Sequence, residues 1–280
     1  MSWIARLNLD YSLEADRSVA RFAHDGPLRI LQSLYPEGDA VCHNVLVHPP
    51  SGLVGGDTLD MQVNVGAGAH GLVTTPGATR FYRSEAGLAT QRVAAHVQDG
   101  ARLEWLPLEA LAYSGCDALN LARFELEPTA ELMTWDITAL GLPHAQQPFE
   151  RGTFRQHLEI PGTKGPIWLE RGSIAAADAR LMNSPLGLAG QRCMATLVFA
   201  AGSAIAPDRT EAALEAARAA IEASPLRLQA GATQPHPQVI VLRVLAPVVE
   251  PAMQLLRPVW AAWRQVLWGL PGTVPRLWNV

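Results

Sequence analysis

A strand–turn–strand unit that recurs about every 30 residues, the period of a stacked repeat, restricts the fold of this chain more than any other feature. Alternating apolar and polar residues run into tight turns, and the turns at Gly68, Gly100 and Thr129 follow one another at nearly equal spacing. Tryptophans recur with nearly the same period: Trp105, Trp135 and Trp168. A hairpin cannot bury its own apolar face, so such units are stable when neighbours stack on them. We therefore expect a mainly β protein of stacked strand layers, with a β-helix-like and a sandwich-like core both open.

Two α-helices are predicted in the C-terminal third. Asp208 is a good N-cap for the first, which Ser224-Pro225 ends. The second has Pro251 in its first turn and ends at Gly269, and Pro258 inside it predicts a kink or two abutting helices. No linker or shift in composition divides the chain, so residues 1–280 are expected to form a single domain.

The second predicted helix carries three tryptophans: Trp260, Trp263 and Trp268. Large aromatic side chains dominate both protein cores and protein–protein interfaces. Core packing and a partner-binding surface are therefore both open for these three residues.

Charge and cysteine content exclude several classes of protein. The net charge of −4 gives no basic surface for nucleic acid. Three widely spaced cysteines form neither a disulfide framework nor a zinc motif. The N-terminus lacks a signal-peptide pattern, and the longest apolar run, residues 239–249, is too short to span a bilayer. We expect a soluble, cytoplasmic protein with no membrane association.

The glycine-rich stretch of residues 48–84 contains a match to the dinucleotide fingerprint at Gly66, Gly68 and Gly71. A real dinucleotide site opens a helix at the third glycine, whereas Gly71 is followed by Leu-Val-Thr-Thr-Pro-Gly, which favours a strand. The sequence also lacks a Walker A motif and a G-x-S-x-G elbow. We therefore expect no stably bound cofactor, and no nucleotide hydrolysis or nucleophilic catalysis by a recognised motif; an enzyme with a convergent nucleophile–base pair stays open at this point.

Acids embedded in apolar strands are the best candidate site residues. Asp136 and Glu170 lie in such strands, and a buried carboxylate without partners is costly. The ordinary interpretation is an ion pair with Arg171 for Glu170 and an exposed strand face for Asp136. The alternative is that both line a watered passage, together with Asp57 and the paired threonines that precede Pro76: Thr74 and Thr75. The tryptophan alignment, however, places Asp136 and Glu170 on different faces.

Motifs along nearly the whole chain carry a family resemblance. They are Asp25-Gly-Pro-Leu-Arg29, Leu46-Val-His-Pro-Pro-Ser-Gly-Leu-Val-Gly-Gly-Asp57, Thr74-Thr-Pro-Gly-Ala-Thr-Arg-Phe-Tyr-Arg-Ser84, Leu103-Glu-Trp-Leu-Pro107, Trp135-Asp-Ile-Thr-Ala-Leu-Gly141 and Pro275-Arg-Leu-Trp-Asn279. In this order they resemble the UreD (UreH) family of urease accessory proteins. Two departures are small: Ser51 stands where the family usually has glycine, and Arg80 where lysine is common.

The resemblance implies a non-enzymatic scaffold for nickel insertion into apo-urease. Implied partners in a hetero-oligomeric complex are a UreF-like helical accessory protein, a UreG-like GTPase and apo-urease itself. The resemblance also implies a mostly β fold with two helices and an internal nickel channel, which Ni²⁺ occupies only transiently. Asp57, Asp136 and Glu170, with Thr74 and Thr75 as lining, become the candidates for that channel. A nickel storage or sensor module of mainly β fold is the alternative function.

Overall fold

The computed structural model describes residues 2–85 and 87–279, and this part of the chain is mainly β. The strands in chain order are β1 (Ile4–Glu14), β2 (Arg17–Asp25), β3 (Arg29–Leu34), β4 (Cys42–Val47), β5 (Gly52–Leu53), β6 (Thr58–Val65), β7 (His70–Thr74), β8 (Thr79–Phe81), β9 (Ala89–Val97), β10 (Arg102–Leu106), β11 (Ala110–Ala112), β12 (Cys116–Leu126), β13 (Glu131–Leu142), β14 (Gln147–Pro148), β15 (Gly152–Gly162), β16 (Gly165–Ala175), β17 (Cys193–Ala201), β18 (Ala230–His236) and β19 (Val239–Ala246). The helices are α1 (Ala179–Asn183), α2 (Pro207–Glu222) and α3 (Val249–Trp268), with 3-10 turns at Pro143–Ala145 and Arg276–Asn279. Of the helices described, not one has the length and apolar character needed to cross a membrane.

Two sheets pack face to face around a stack of parallel coils. Sheet A has the strand order β16-β15-β12-β9-β6-β1-β2, and sheet B has the main order β18-β19-β17-β13-β10-β7-β4-β3. The chain runs from β6 to β7 and β8, then from β9 to β10 and β11, so each coil adds a strand to both sheets. Antiparallel strands flank this stack on both sides. The core is thus β-solenoid-like, one of the two arrangements that the repeated strand–turn–strand unit leaves open.

The turn spacing in the sequence matches the real register of the coils. The amide of Gly68 donates to the carbonyl oxygen of Asp99 at 3.1 Å, and that of Gly100 donates to Thr129 Oγ1 at 2.8 Å. The strands that follow these turns, β7, β10 and β13, pair in parallel with their first residues aligned. The alignment of Gly68, Gly100 and Thr129 is confirmed.

The tryptophan period does not reflect the register. Trp105 aligns with Thr134, so Trp135 is one residue further on and its side chain points to the opposite face of sheet B. Trp168 lies on β16, an antiparallel strand at the edge of sheet A. The similar spacings are a coincidence of loop lengths.

The fingerprint glycines are required by the turn and by strand packing. Gly68 has a φ of +73°, a conformation that residues with a Cβ rarely adopt. A Cβ at Gly71 would lie 2.5 Å from the ring of Tyr11, which is buried against it. Gly71 lies in β7, so the prediction of a strand there, in place of the helix that a dinucleotide loop needs, is confirmed.

The core has two layers, one between sheets A and B and one between sheet B and the helices α2 and α3. One expectation about the helices is wrong, and one of the two alternatives at Pro258 is excluded while the other, a kink, stays a prediction. The N-cap of α2 is Ala206, and Asp208 lies in the first turn instead, where a carboxylate still favours the positive end of the helix dipole. Helix α3 is continuous through Pro258, so there are no abutting helices, and Gly269 ends it with a φ of +64°. The short helix α1, capped by Asp178, was not predicted.

Candidate functional site

Both embedded acids point into the space between the two sheets. Asn120 of sheet A donates a hydrogen bond to Asp136 of sheet B, and Thr196 of sheet B donates one to Glu170 of sheet A. The expectation that the two acids lie on different faces is wrong, because it relied on the tryptophan alignment. Asp136 is therefore not on an exposed face either.

A chain of side-chain hydrogen bonds leads to Asp136 from one side. Thr79 Oγ1 donates to Gln91 Oε1 at 3.1 Å, and Gln91 Nε2 donates to Asn120 Oδ1 at 3.1 Å. Asn120 Nδ2 then donates to Asp136 Oδ2 at 3.0 Å, while Thr138 Oγ1 lies 3.3 Å from Asp136 Oδ1. Polar groups thus replace apolar packing across four strands.

A second set of contacts surrounds Glu170 on the other side. Its Oε1 accepts from Thr196 Oγ1 at 3.2 Å and lies 3.3 Å from a guanidinium nitrogen of Arg243. Thr196 is the cross-strand neighbour of Asp136, and Arg243 is that of Thr196. The partner of Glu170 is therefore Arg243 and not Arg171. Its other oxygen, Oε2, is buried with no hydrogen-bond partner among the described residues.

We call this row the polar track: Thr79, Gln91, Asn120, Asp136, Thr196, Glu170 and Arg243. Three cavities lie along it. The first, of about 180 Å³, is lined by His48, Thr75 and Gln91, and the second, of about 20 Å³, by Gln91, Asn120 and Asp136. The third, of about 530 Å³, is lined by Glu170, Thr196 and Arg243. The middle cavity has room for a single water molecule.

The carboxyl group of Asp136 is tuned by its surroundings. Burial and, after it, the negative charge of Glu170 raise its pKa to about 7, against the opposing effect of the hydrogen bond from Thr138. Asp136 is partly accessible, and it lines the smallest of the three cavities. A cation that binds beside Asp136 near neutral pH therefore competes with the proton that this carboxyl group tends to hold.

The other predicted lining residues are divided. Asp57 accepts from the main-chain amides of Trp3 and Val54, at 3.2 and 3.0 Å, and lines neither of the cavities that contain Asp136 or Glu170. Its carboxylate stabilises a turn before β6. Thr75 lines the first cavity, where its hydroxyl donates to the carbonyl oxygen of Gly77 at 2.9 Å.

Thr74 points to the opposite face of sheet B. Its hydroxyl donates to the carbonyl oxygen of Leu106 at 2.7 Å and accepts from the indole of Trp278 at 2.9 Å. It packs in the layer beneath α3, so the structure does not place it on the polar track.

The three tryptophans of α3 lie inside the protein. Trp260 and Trp263 are fully buried, and Trp268 is 8% exposed. Their indole nitrogens donate to Glu104, to the Ala213 carbonyl oxygen and to Glu131, respectively. This burial fits the core-packing interpretation and leaves these side chains no free face for a partner in this structure.

Glu104 also belongs to what we call the buried charge network: Glu37, His43, His70, Glu104 and Arg264. Arg264 of α3 donates to both oxygens of Glu37, at 2.8 and 3.1 Å, and its Nε lies 3.3 Å from Glu104. His43 and His70 contact Glu37 and Glu104 at 2.7 and 2.8 Å. The network fixes α3 to sheet B. In the described part of the chain, no three His, Cys, Asp or Glu side chains are grouped so as to hold a metal ion.

Sequence reasoning missed Gln91, Asn120, Thr196 and Arg243, and it did not single out Thr79 as a lining residue. A signal for the first two was present. Gln91 interrupts a run of inward-facing apolar residues on β9, and Asn120 follows it at the same spacing that separates Gly100 from Thr129. Thr196 and Arg243 lie on the flanking antiparallel strands, outside the repeat, and no comparable signal marks them.

Comparison with known proteins identifies the relatives of this chain. The family model described as "UreD urease accessory protein" matches residues 4–279. The chain is 65% identical over 278 residues to proteins named "Urease accessory protein UreD" from Variovorax paradoxus strain S110 and Paracidovorax citrulli strain AAC00-1, with 99% of each chain covered. It is 49% identical over 295 residues to a protein of the same name from Methylibium petroleiphilum strain PM1, with full coverage of both.

Proposed function

The chain belongs to the UreD family of urease accessory proteins, and on that premise we propose that it serves urease maturation as a non-enzymatic scaffold for nickel insertion. In this proposal the polar track is the internal path of the ion. The protein acts in the cytoplasm, in a hetero-oligomeric complex with a UreF-like helical accessory protein, a UreG-like GTPase and apo-urease. The sequence lacks a Walker A motif, which agrees with a GTPase activity that is supplied by a partner protein.

The observation that carries this proposal is the pairing of Asp136 and Glu170 between the sheets. Glu170 keeps one buried oxygen without a partner among the described residues, and burial together with the charge of Glu170 raises the pKa of Asp136. The site therefore has unsatisfied affinity for a positive charge. Two carboxylates with hydroxyl and amide neighbours offer oxygen ligands, which hold a borderline cation such as Ni²⁺ weakly. Weak ligands suit transit, since an ion that binds too tightly does not leave.

Transit is favoured over the alternative of nickel storage or sensing. Storage needs a site with several strong ligands, and the described residues contain no such group of His, Cys, Asp and Glu. Isothermal titration calorimetry separates the two functions, because storage predicts tight stoichiometric nickel binding by the isolated chain.

The direct test is co-expression with apo-urease and the accessory partners, followed by measurement of nickel per urease active site. Asp136→Ala and Glu170→Ala are expected to lower nickel loading severalfold while the chain still co-purifies with its partners. Glu125→Ala is the control, because Glu125 is an exposed acid on β12, the strand that carries Asn120. Full loading with both track variants would refute the path. Loss of co-purification would instead assign the two acids a structural role.

A further inference from the structure

We propose that Arg243 is the gate of the polar track: its guanidinium occupies Glu170 in the free chain and must leave before a divalent cation binds there. This inference rests on the proposed function, because a gate has meaning only on a path that an ion uses. It concerns a residue of β19 that the repeat does not predict.

Arg243 places a positive charge at the outer end of the polar track, beside the third cavity. Its guanidinium nitrogen lies 3.3 Å from Glu170 Oε1, on the side of the third cavity. Only 10% of the Glu170 side chain is exposed, so the arginine supplies most of the charge compensation that this carboxylate receives. A cation that approaches Glu170 from this cavity meets a positive charge first.

Arg243 is also able to move. Its side chain is 55% exposed, in contrast to the buried Arg264, so the ion pair is only partly desolvated and weak enough to exchange. Its guanidinium carbon also lies 5.3 Å from the ring centroid of Trp168, a cation–π contact that does not depend on Glu170 and that still holds the side chain beside the cavity once the ion pair is broken. Its cross-strand neighbour on β18 is Gly231, where a Cβ would meet no atom within 4 Å, so space is open beside it.

A purely structural role for Arg243 makes a different prediction. An arginine that only neutralises Glu170 would, when removed, reduce stability and leave metal affinity unchanged or lower. A gate, when removed, increases the affinity of the track for a cation, because the competitor is lost. The affinity for Ni²⁺ is therefore the decisive readout.

The test is titration of NiCl₂ into the full chain at pH 8, followed by calorimetry. Arg243→Gln is expected to bind Ni²⁺ about fivefold more tightly than the unmodified chain, the factor that corresponds to a half-exposed ion pair. Arg243→Lys, which keeps the charge, is expected to stay near the unmodified value. The double variant Arg243→Gln with Glu170→Gln is expected to lose the gain. Unchanged or weaker binding by a folded Arg243→Gln chain would overturn the gate.

A second variant keeps the proposal testable if Arg243→Gln does not fold. Arg243→Met keeps an unbranched side chain against Trp168 without adding a metal ligand of its own beyond a weak thioether, and it is expected to tighten Ni²⁺ binding as Arg243→Gln does. The gain must disappear when Glu170→Gln is added, and a gain that survives would contradict the gate. These titrations are independent of urease loading. If the titrations contradict the gate but Glu170→Ala still lowers the nickel content of urease, the gate is wrong and the ion path stands. If urease matured with Glu170→Ala has its normal nickel content, the ion path itself is wrong.

Discussion

Asn120 donates a hydrogen bond to Asp136 at 3.0 Å across the space between sheets A and B. A polar contact of this kind inside a core is stabilising only if every member is satisfied, and an apolar pair of the same shape is often as stable. Here one member of the row, Glu170, retains an oxygen without a partner among the described residues. A contribution to stability therefore explains the presence of the polar track poorly, whereas affinity for a cation explains it well.

Stability should fall with rising pH because of Asp136. Its folded pKa of about 7 lies above the unfolded value near 3.8, so the folded state favours the protonated form. The stabilisation is fully present below about pH 4 and is lost as the pH rises through 7. Between pH 5 and pH 8 the unmodified chain should lose roughly 2–3 kcal/mol of unfolding free energy relative to Asp136→Asn.

Urea denaturation at several pH values measures this difference. Asp10→Asn is the control, because Asp10 is exposed on β1 and the same substitution there should leave the pH profile parallel to that of the unmodified chain. Parallel profiles for Asp136→Asn as well would show that the carboxyl group is not desolvated.

Ser51→Gly should stabilise the protein. Ser51 has a φ of +62° in a turn where its amide donates to the carbonyl oxygen of His48 at 2.8 Å, and a residue with a Cβ is strained there. Glycine removes that strain but gains flexibility in the unfolded chain, so the net increase in unfolding free energy should be about 0.5–1 kcal/mol. Ser203→Gly, at an exposed position without positive φ, should bring no increase. Equal effects of both substitutions would exclude relief of strain.

The stacked coils could be predicted from the sequence, but the meeting of polar side chains from both sheets in the polar track could not. The turns at Gly68, Gly100 and Thr129 need particular backbone conformations or hydrogen bonds, so each turn is fixed at its place in the sequence. Their spacing therefore gives the register between successive coils directly. Trp105 and Trp135 carry no such requirement, since an indole is buried equally well on either face of sheet B. The convergence of Asp136 and Glu170 depends on β16, which folds back antiparallel onto β15 at the edge of sheet A. The turn at Pro161-Gly162 indicates that reversal, but no local pattern indicates that Glu170 then faces the strands of sheet B that carry Asp136 and Thr196.

Arg264→Met should destabilise the protein strongly. The guanidinium is fully buried and compensates the carboxylates of Glu37 and Glu104. Its removal leaves two acids in the core whose remaining partners are two histidines and one indole N–H. Breaking a buried ion pair from one side costs about 3–5 kcal/mol. Arg218→Met is the control, because Arg218 is exposed on α2 and the same change there should cost under about 0.5 kcal/mol. Denaturation midpoints that fall equally for the two variants would contradict the role of the buried charge network.

The most direct test of the polar track is the nickel content of urease matured with Asn120→Leu. This substitution keeps the side chain at similar size but removes the amide that joins Gln91 to Asp136. Asn64→Leu is the matched control, because Asn64 is exposed on β6 in the same sheet A. With both variants still co-purifying with their partners, nickel per urease active site should fall severalfold with Asn120→Leu and stay normal with Asn64→Leu. Fully loaded urease from the Asn120→Leu chain would contradict an ion path between the sheets.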